Sequence, residues 1–370
     1  GQIGSILNEV DVELINRLQR IAVTESRLGI PLLVGRDVIH GFRTIFPIPL
    51  GIAATWNPEL AEAGARIAAV EAAASGVRWT FAPMMDVSRD ARWGRIAESF
   101  GEDPLLGVQF SLAFIRGFQT DDLSRPDAVA ACAKHFAGYG ASESGRDYNL
   151  VNLGEPLLRN VYLPPFKAAV DAGVATFMAG FHELNGVPAS GNEYLLRTIL
   201  RDEWGFGGFV VSDWASIAEL IPHGFAADEK DAARRALTAG VDMEMASTAY
   251  VDHLEVLLEE GAVTMEMVDA AVRSILRVKM ALGLFERPST DPSAFPAPVN
   301  ADHLAAAKET ALQSAVLLKN DGALPLSRDI GSLAVIGPLA DDPFEQLGTW
   351  TFDKQIEDSQ TPLAALEAFL

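Results

Sequence analysis

The chain has 370 residues, 49% of them hydrophobic and 8% aromatic, a globular composition too long for one small domain. Fifty acidic against 29 basic residues leave a formal charge of −21, and no Lys/Arg cluster could neutralise phosphates, which argues against a nucleic-acid binder. The single cysteine, Cys132, allows neither an intrachain disulfide nor a Cys-based metal site. The six histidines form no His-x-x-x-His pair, so no metal centre is expected, and no run of about 18 apolar residues could span a bilayer.

The sequence opens at Gly1-Gln2-Ile3 with neither an initiator Met nor a signal peptide, and its N-terminus is read as trimmed. Short apolar runs then alternate with segments of helical period. The runs at 30–35, 79–86, 129–136, 175–181, 208–213 and 241–245 predict strands. Amphipathic stretches at 57–75, 105–118, 156–172, 194–204 and 226–239 predict the helices between them. Asn57-Pro58 reads as an N-cap followed by Pro at the first helical position, and Gly76 as the residue past the helix end. Strands apolar on both faces imply a parallel sheet covered by helices, and six or more such units favour a (β/α)8 TIM-like barrel over an open sheet. Two further helices, 252–260 and 264–282, close this region.

Composition changes at 287–300, a Pro/Ser-rich stretch without periodicity that reads as a linker after a first domain at 1–286. A helix from 301 to about 314 follows, and the runs 315–319 and 333–336 predict strands of an α/β sandwich domain. The chain ends at Leu370 in what reads as a helix, so 301–370 is taken as the beginning of an incomplete second domain.

In a (β/α) barrel the active site lies at the C-terminal ends of the strands. Those ends carry Asp37, Asp86, Lys134, His135, Met178, Asp213 and Glu244, with Trp93 and Trp214 close in sequence. Paired carboxylates, cations and aromatic walls suit a neutral polyhydroxylated ligand, since each hydroxyl needs a donor and an acceptor and the C–H face packs on an indole. Some of these residues would equally serve as structural ion pairs, and a strand-end Asp as readily caps the next helix.

Ordered motifs narrow this reading. They are Gly35-Arg-Asp37-Val-Ile-His40-Gly41-Phe-Arg-Thr-Ile-Phe-Pro47, Ala82-Pro-Met-Met-Asp86-Val-Ser-Arg-Asp-Ala-Arg-Trp93-Gly94-Arg95 and Glu98-Ser-Phe-Gly-Glu-Asp103. Further along come Ala133-Lys134-His135-Phe-Ala-Gly-Tyr139-Gly140, Leu184-Asn185-Gly186-Val-Pro188 and Arg201-Asp-Glu-Trp204-Gly-Phe-Gly-Gly-Phe-Val-Val-Ser212-Asp213-Trp214. The series, spread over roughly residues 30 to 340, resembles glycoside hydrolase family 3 in its bacterial two-domain β-glucosidase branch.

The resemblance implies a retaining exo-acting β-glucosidase with Asp213 as the catalytic nucleophile that forms a covalent glycosyl-enzyme. It assigns substrate binding to Asp37, Arg95, Lys134, His135, Met178 and Trp214. Adjacent strand residues point to opposite faces, so Lys134 and His135 both reach the ligand only if the strand end bends. Arg89 and Arg92 read as structural ion-pair members. The branch carries its acid/base Glu in the second domain; Glu345 and Glu357 lie too early for that role. Another branch uses a His in the loop after Lys-His, but 137–148 contains none. An aromatic hydroxyl often found near the nucleophile is replaced by Phe181.

No cofactor and no metal are expected. The expected partners are β-glucosides or short β-gluco-oligosaccharides, the remainder of the second domain on this or a separate chain, and a second copy in a homodimer, with no nucleic acid and no membrane. A periplasmic or secreted location is slightly favoured over the cytoplasm. A β-xylosidase or other exo-β-glycosidase remains an alternative, as does a non-catalytic sugar-binding module.

Overall fold

Six short strands run in chain order as parallel neighbours: β1 (Ser5–Leu7), β2 (Leu33–Arg36), β3 (Trp79–Thr80), β4 (Cys132–Phe136), β5 (Thr176–Ala179) and β6 (Phe209–Val211). The computed structural model describes residues 3–327 and 329–370; Gly1 and Gln2, on which the trimmed start was read, lie outside the described residues. Ser5 pairs with Leu33, Gly35 with Trp79, Cys132 with Thr176 and Thr176 with Phe209. Single parallel bridges, Trp79 to Ala130, Met84 to Lys134 and Val211 to Met243, carry the order across β3–β4 and beyond β6. Met243, at the last position, meets the first strand, its Sδ lying 3.7 Å from Ser5 Oγ.

The strands are shorter than the apolar runs that signalled them. The run 79–86 is ladder-bonded at Trp79–Thr80 and again only at the Met84 bridge, with the break beside Pro83, which has no N–H to offer, and 241–245 pairs at one residue. Their side chains are nevertheless enclosed: Leu33, Phe177, Val210 and Val211 are fully buried because helices cover the outer face.

Those helices start where side chains satisfy their free N–H groups. Asp11 accepts from Glu13 and Leu14 at the start of α1 (Val12–Thr24), an element that the sequence reading did not separate. After α2 (Pro49–Ala54), Asn57 caps α3 (Pro58–Ala74) as expected, and Asp103 caps α4 (Pro104–Gln119). Gly117 lets α4 press against α3: a Cβ there would sit 2.5 Å from the Glu62 carbonyl oxygen. The stretch 156–172 divides into a π-helical turn (Leu158–Tyr162) and α5 (Pro164–Asp171), and Tyr194–Glu203 is π-helical throughout. Next come α6 (Glu229–Ala239), α7 (Ala249–Glu259) and α8 (Met265–Ala281). From α8 the buried Lys279 donates to the carbonyls of Gly4 and Pro31, sealing the N-terminal side of β1 and β2.

The stretch 287–300 is not a free tether. Asn16 bonds both the N–H and the C=O of Thr290, and α9 (Ala301–Ser314) begins at a buried carboxylate, Glu71. Glu71 accepts from the Arg43, Thr44 and Val299 backbone N–H groups, from Thr44 Oγ1 and from His303 Nδ1. Burial opposes its charge, but these donors more than offset that and hold it below the usual carboxylate range.

Beyond α9 the expectation of two strands fails. Residues 315–319 and 333–336 are irregular, and Leu318 and Ile336 are 92% and 90% exposed. A strand needs a neighbour to receive its backbone hydrogen bonds, and neither run has one. The chain returns to the body further on, where Thr349 O lies 2.6 Å from His40 Nε2 and Asp353 pairs with Arg36 at 2.9 Å. A last helix, α10 (Pro362–Phe369), follows. The architecture is thus mixed α/β, mostly helical by content; the six strands named above are parallel, and a two-residue antiparallel hairpin pairs Glu183–Leu184 with Val187–Pro188. Among the described residues no helix is long and apolar enough to cross a membrane.

Candidate active site

Asp213 follows β6 by two residues. Ser212 fixes the turn, its Oγ accepting from the Met245 N–H and donating to the Asp213 carbonyl. Asp213 is 8% exposed, and its two side-chain oxygens differ: Oδ1 accepts from the Trp214 N–H at 2.7 Å, whereas Oδ2 receives no hydrogen bond. Burial pushes its pKa up to about 6, against the pull of Arg95 and Lys134.

Each cation is held by its own carboxylate. Lys134, on β4, reaches Asp37 Oδ1 at 3.1 Å, just beyond the end of β2. Arg95 grips Glu98 through two bonds of 2.7 and 3.1 Å in a nearly dry setting. Burial works against the guanidinium, but Glu98 and the nearby Asp213 outweigh it and keep Arg95 cationic. By contrast, Arg92 pairs with Asp90 on the surface, 2.6 Å away, the structural role expected of it.

These groups line a cavity of about 650 Å³. Asp37, Arg95, Lys134, Met178, Asp213 and Trp214 all face it. His135 does not: it is 0% exposed, one layer behind the wall. The β4–β5 register shifts between Ala133 and Phe136, so the strand end is irregular, yet only Lys134 reaches the cavity. The His135 ring contacts Asp86 through Nδ1 at 2.9 Å and lies 3.0 Å from Arg95 Nη2 and 3.4 Å from Asp213 Oδ2 through Nε2. Burial and the two neighbouring cations keep its pKa well below the usual value, so it is neutral.

The apolar wall comes partly from unexpected places. Phe181 is present, and the Tyr148 ring tilts against it at 4.3 Å. Tyr148 sits beside Asp147, which the Trp93 indole N–H and the Tyr139 hydroxyl both hold. Trp350 and Phe352 arrive from the C-terminal segment. Arg95 and Lys134 lie 5.7 and 5.4 Å from the Trp350 ring centre, and Arg36 lies 5.0 Å from that of Phe352. Trp350 stands in no recognisable motif, so nothing in the sequence marked it. Glu345 and Glu357 do not line the cavity.

The parallel strands and the carboxylate–cation site at their C-terminal ends fit one protein class, and the chain belongs to glycosyl hydrolase family 3: that family's N-terminal domain matches residues 1–278. A periplasmic β-glucosidase of Salmonella typhimurium is 44% identical over 99% of this chain and 49% of its own length. A β-xylosidase of Formosa agariphila is 38% identical over 91% of this chain and 50% of its own. A β-glucosidase of Listeria innocua, crystallised with glucose, superimposes with a TM-score of 0.95 at 39% identity, over 99% of this chain and 51% of that one. The chain spans about half the length of these relatives.

Proposed function

We propose that this chain carries the sugar-binding half of a retaining exo-β-glucosidase, which releases terminal β-D-glucosyl residues through a covalent intermediate on Asp213. The observation that carries the reading is the Asp213 carboxylate, with one oxygen anchored and one unencumbered, facing a cavity beside two cations. Oδ2 attacks the anomeric carbon as the glycosidic C–O bond breaks, and water later hydrolyses the ester. Asp37 accepts from sugar hydroxyls while Lys134 and Arg95 donate to them, and Met178 and Trp214 pack against the ring.

The leaving oxygen needs a proton. Glu98, Asp37, Asp86 and Asp147 are each committed to Arg95, Lys134, His135 and the Trp93–Tyr139 pair. This supports an acid/base Glu outside the present chain. In the same reading, residues 1–286 form the catalytic domain as a (β/α)8 barrel, a reading supported by the parallel strand order and by Met243 lying beside Ser5, and 301–370 begin a second domain. A periplasmic or secreted setting accords with the Salmonella relative's name.

The test is exposure to a 2-deoxy-2-fluoro-β-glucoside with a dinitrophenolate leaving group, followed by peptide mass mapping. That group departs without protonation, so the missing acid is irrelevant. A fluoroglucosyl adduct on Asp213 is the expected result; glucose binding without any adduct would leave a sugar-binding module. The Formosa relative favours one rival, a β-xylosidase, which would hydrolyse an aryl xyloside faster than the aryl glucoside.

A further inference from the structure

The loop after β2 holds the segment that walls the cavity. Arg36, the last residue of β2, grips Asp353 through two bonds, Nε to Oδ2 at 2.9 Å and Nη2 to Oδ1 at 3.0 Å. Its third nitrogen, Nη1, donates to Asn8 Oδ1 at 3.1 Å, so the guanidinium is fixed from the body side as well. The Arg36 and Asp353 side chains are only 12% and 9% exposed, and a planar fork set against both carboxylate oxygens is the strong form of such a pair. The other ion pair of this loop is weaker in kind. Arg43 stands 3.6 Å from Asp358, with the two side chains 26% and 35% exposed, where solvent screens the attraction.

Upstream of Asp353 the chain has a second anchor, Thr349 O at 2.6 Å from His40 Nε2. Trp350 stands between the two anchors with its backbone in the left-handed region, at a φ of +58°. A bulky residue does not rest there unaided; the conformation persists only where its surroundings impose it. The Trp350 ring meets Phe352 edge-on at 5.5 Å, and Arg36 lies over Phe352. The outcome is an indole set over Lys134 and Arg95.

We propose that Arg36 and Asp353 are positioning residues: their ion pair imposes the left-handed turn at Trp350, keeps the indole over Lys134 and Arg95, and so sets the affinity of the cavity for its sugar. This rests on the reading of the cavity as the glucosyl site. Asp353 acts through Trp350 and not by touching the sugar. A merely structural ion pair would lower the Tm when broken and leave affinity as it was.

The test is fluoroglucoside labelling, read as a saturation constant and a maximal rate. Asp353→Ala should raise the saturation constant by about 5- to 10-fold and leave the maximal rate within about twofold, because a displaced indole costs binding while Asp213 stays in place. Combining Asp353→Ala with Arg36→Ala or with Trp350→Ala should add nothing further, since all three remove the same wall. Additive effects overturn the proposal, as does an unchanged saturation constant in Asp353→Ala. Asp358→Asn, at the exposed pair, should leave both constants as in the wild type; an effect as large as that of Asp353→Ala would make the charge of the segment the cause and overturn the proposal too. A further reading needs no sugar. In 5-fluorotryptophan-labelled protein, with the Trp350 ¹⁹F signal assigned by its loss in Trp350→Ala, Asp353→Ala should move and sharpen that signal toward the solvent-exposed position. If the wild type forms no adduct at Asp213 and binds no glucoside, the glucosidase reading fails instead, and the ¹⁹F signal still decides the latch: an unmoved Trp350 resonance in Asp353→Ala overturns it.

Discussion

The parallel-strand body and the C-terminal segment are written in similarly apolar sequence, yet they treat it in opposite ways. In the body, Val-Val at 210–211 and Phe177 disappear completely between strands and helices. In the segment, Val316, Leu317, Leu318 and Ile336 face solvent. Its few buried residues are polar: Thr351 is enclosed next to the cavity-lining Trp350, and Thr361 caps the last helix, while Asp353 pairs with Arg36. An apolar run becomes a strand when a neighbour accepts its backbone, not by virtue of its composition.

The division assigns the chemistry to the body, and the sharpest way to break it is at Asp213. Asp213→Asn should reduce labelling and turnover by at least about 10³-fold, measured as the inactivation rate with the fluoroglucoside. Residual labelling near the wild-type rate would place the nucleophile elsewhere.

Stability should divide along the same line. Phe177→Ala leaves a cavity in the body and is expected to cost about 3–5 kcal/mol in denaturant unfolding. Leu318→Ala removes an exposed side chain and should stay within about 0.5 kcal/mol. Comparable values would mean that the segment packs in solution as the body does.

Titration offers a third contrast. The labelling rate should fall roughly tenfold per pH unit below about 6, as Asp213 takes up a proton and loses its nucleophilicity. The effect on stability has the opposite sign. A carboxyl whose folded pKa is raised from 3.8 to about 6 binds its proton more tightly when folded, so its contribution favours folding at low pH and is lost as pH rises through that window. Asp213→Asn should therefore unfold at higher temperature than the wild type at pH 7.5, even though it is inactive; a lower Tm would contradict the burial cost.

A milder change in the labelling reaction is expected at the rim. Trp350→Ala should weaken binding of the fluoroglucoside by about tenfold through lost ring and cation contacts, and leave the maximal rate of adduct formation unchanged. A drop in the maximal rate would give the segment a part in the chemistry.

Much of the body was legible in the sequence. The Asn57-Pro58 cap and the Val-Val-Ser-Asp ending of β6 carry local signals that tertiary structure leaves in place. β1 is only three residues long, Ser5–Leu7, too short for periodicity to reveal, and its pairing with β2 depends on partners distant in sequence. Within the site, position at strand ends pointed to Asp37, Lys134, Met178 and Asp213, and the family resemblance added Arg95 and Trp214; all six face the cavity. The orientation of His135 was not legible, because a register shift at a strand end decides which neighbour faces inward. Nor was Trp350, since only the path of the whole chain brings it over Lys134.

The Glu71 knot has a consequence for how the rim is held. It pins α9 beside the loop after β2, and that same loop offers His40 to Thr349. The stretch between Ser314 and Thr349 is therefore a loop closed at both ends on neighbouring points of one surface. Its closure entropy grows with the logarithm of its length, only about 0.6 kcal/mol for each doubling. The local concentration of Trp350 at the cavity is thus nearly independent of what lies between, and that stretch is free to lengthen, shorten or change composition while the rim keeps its register.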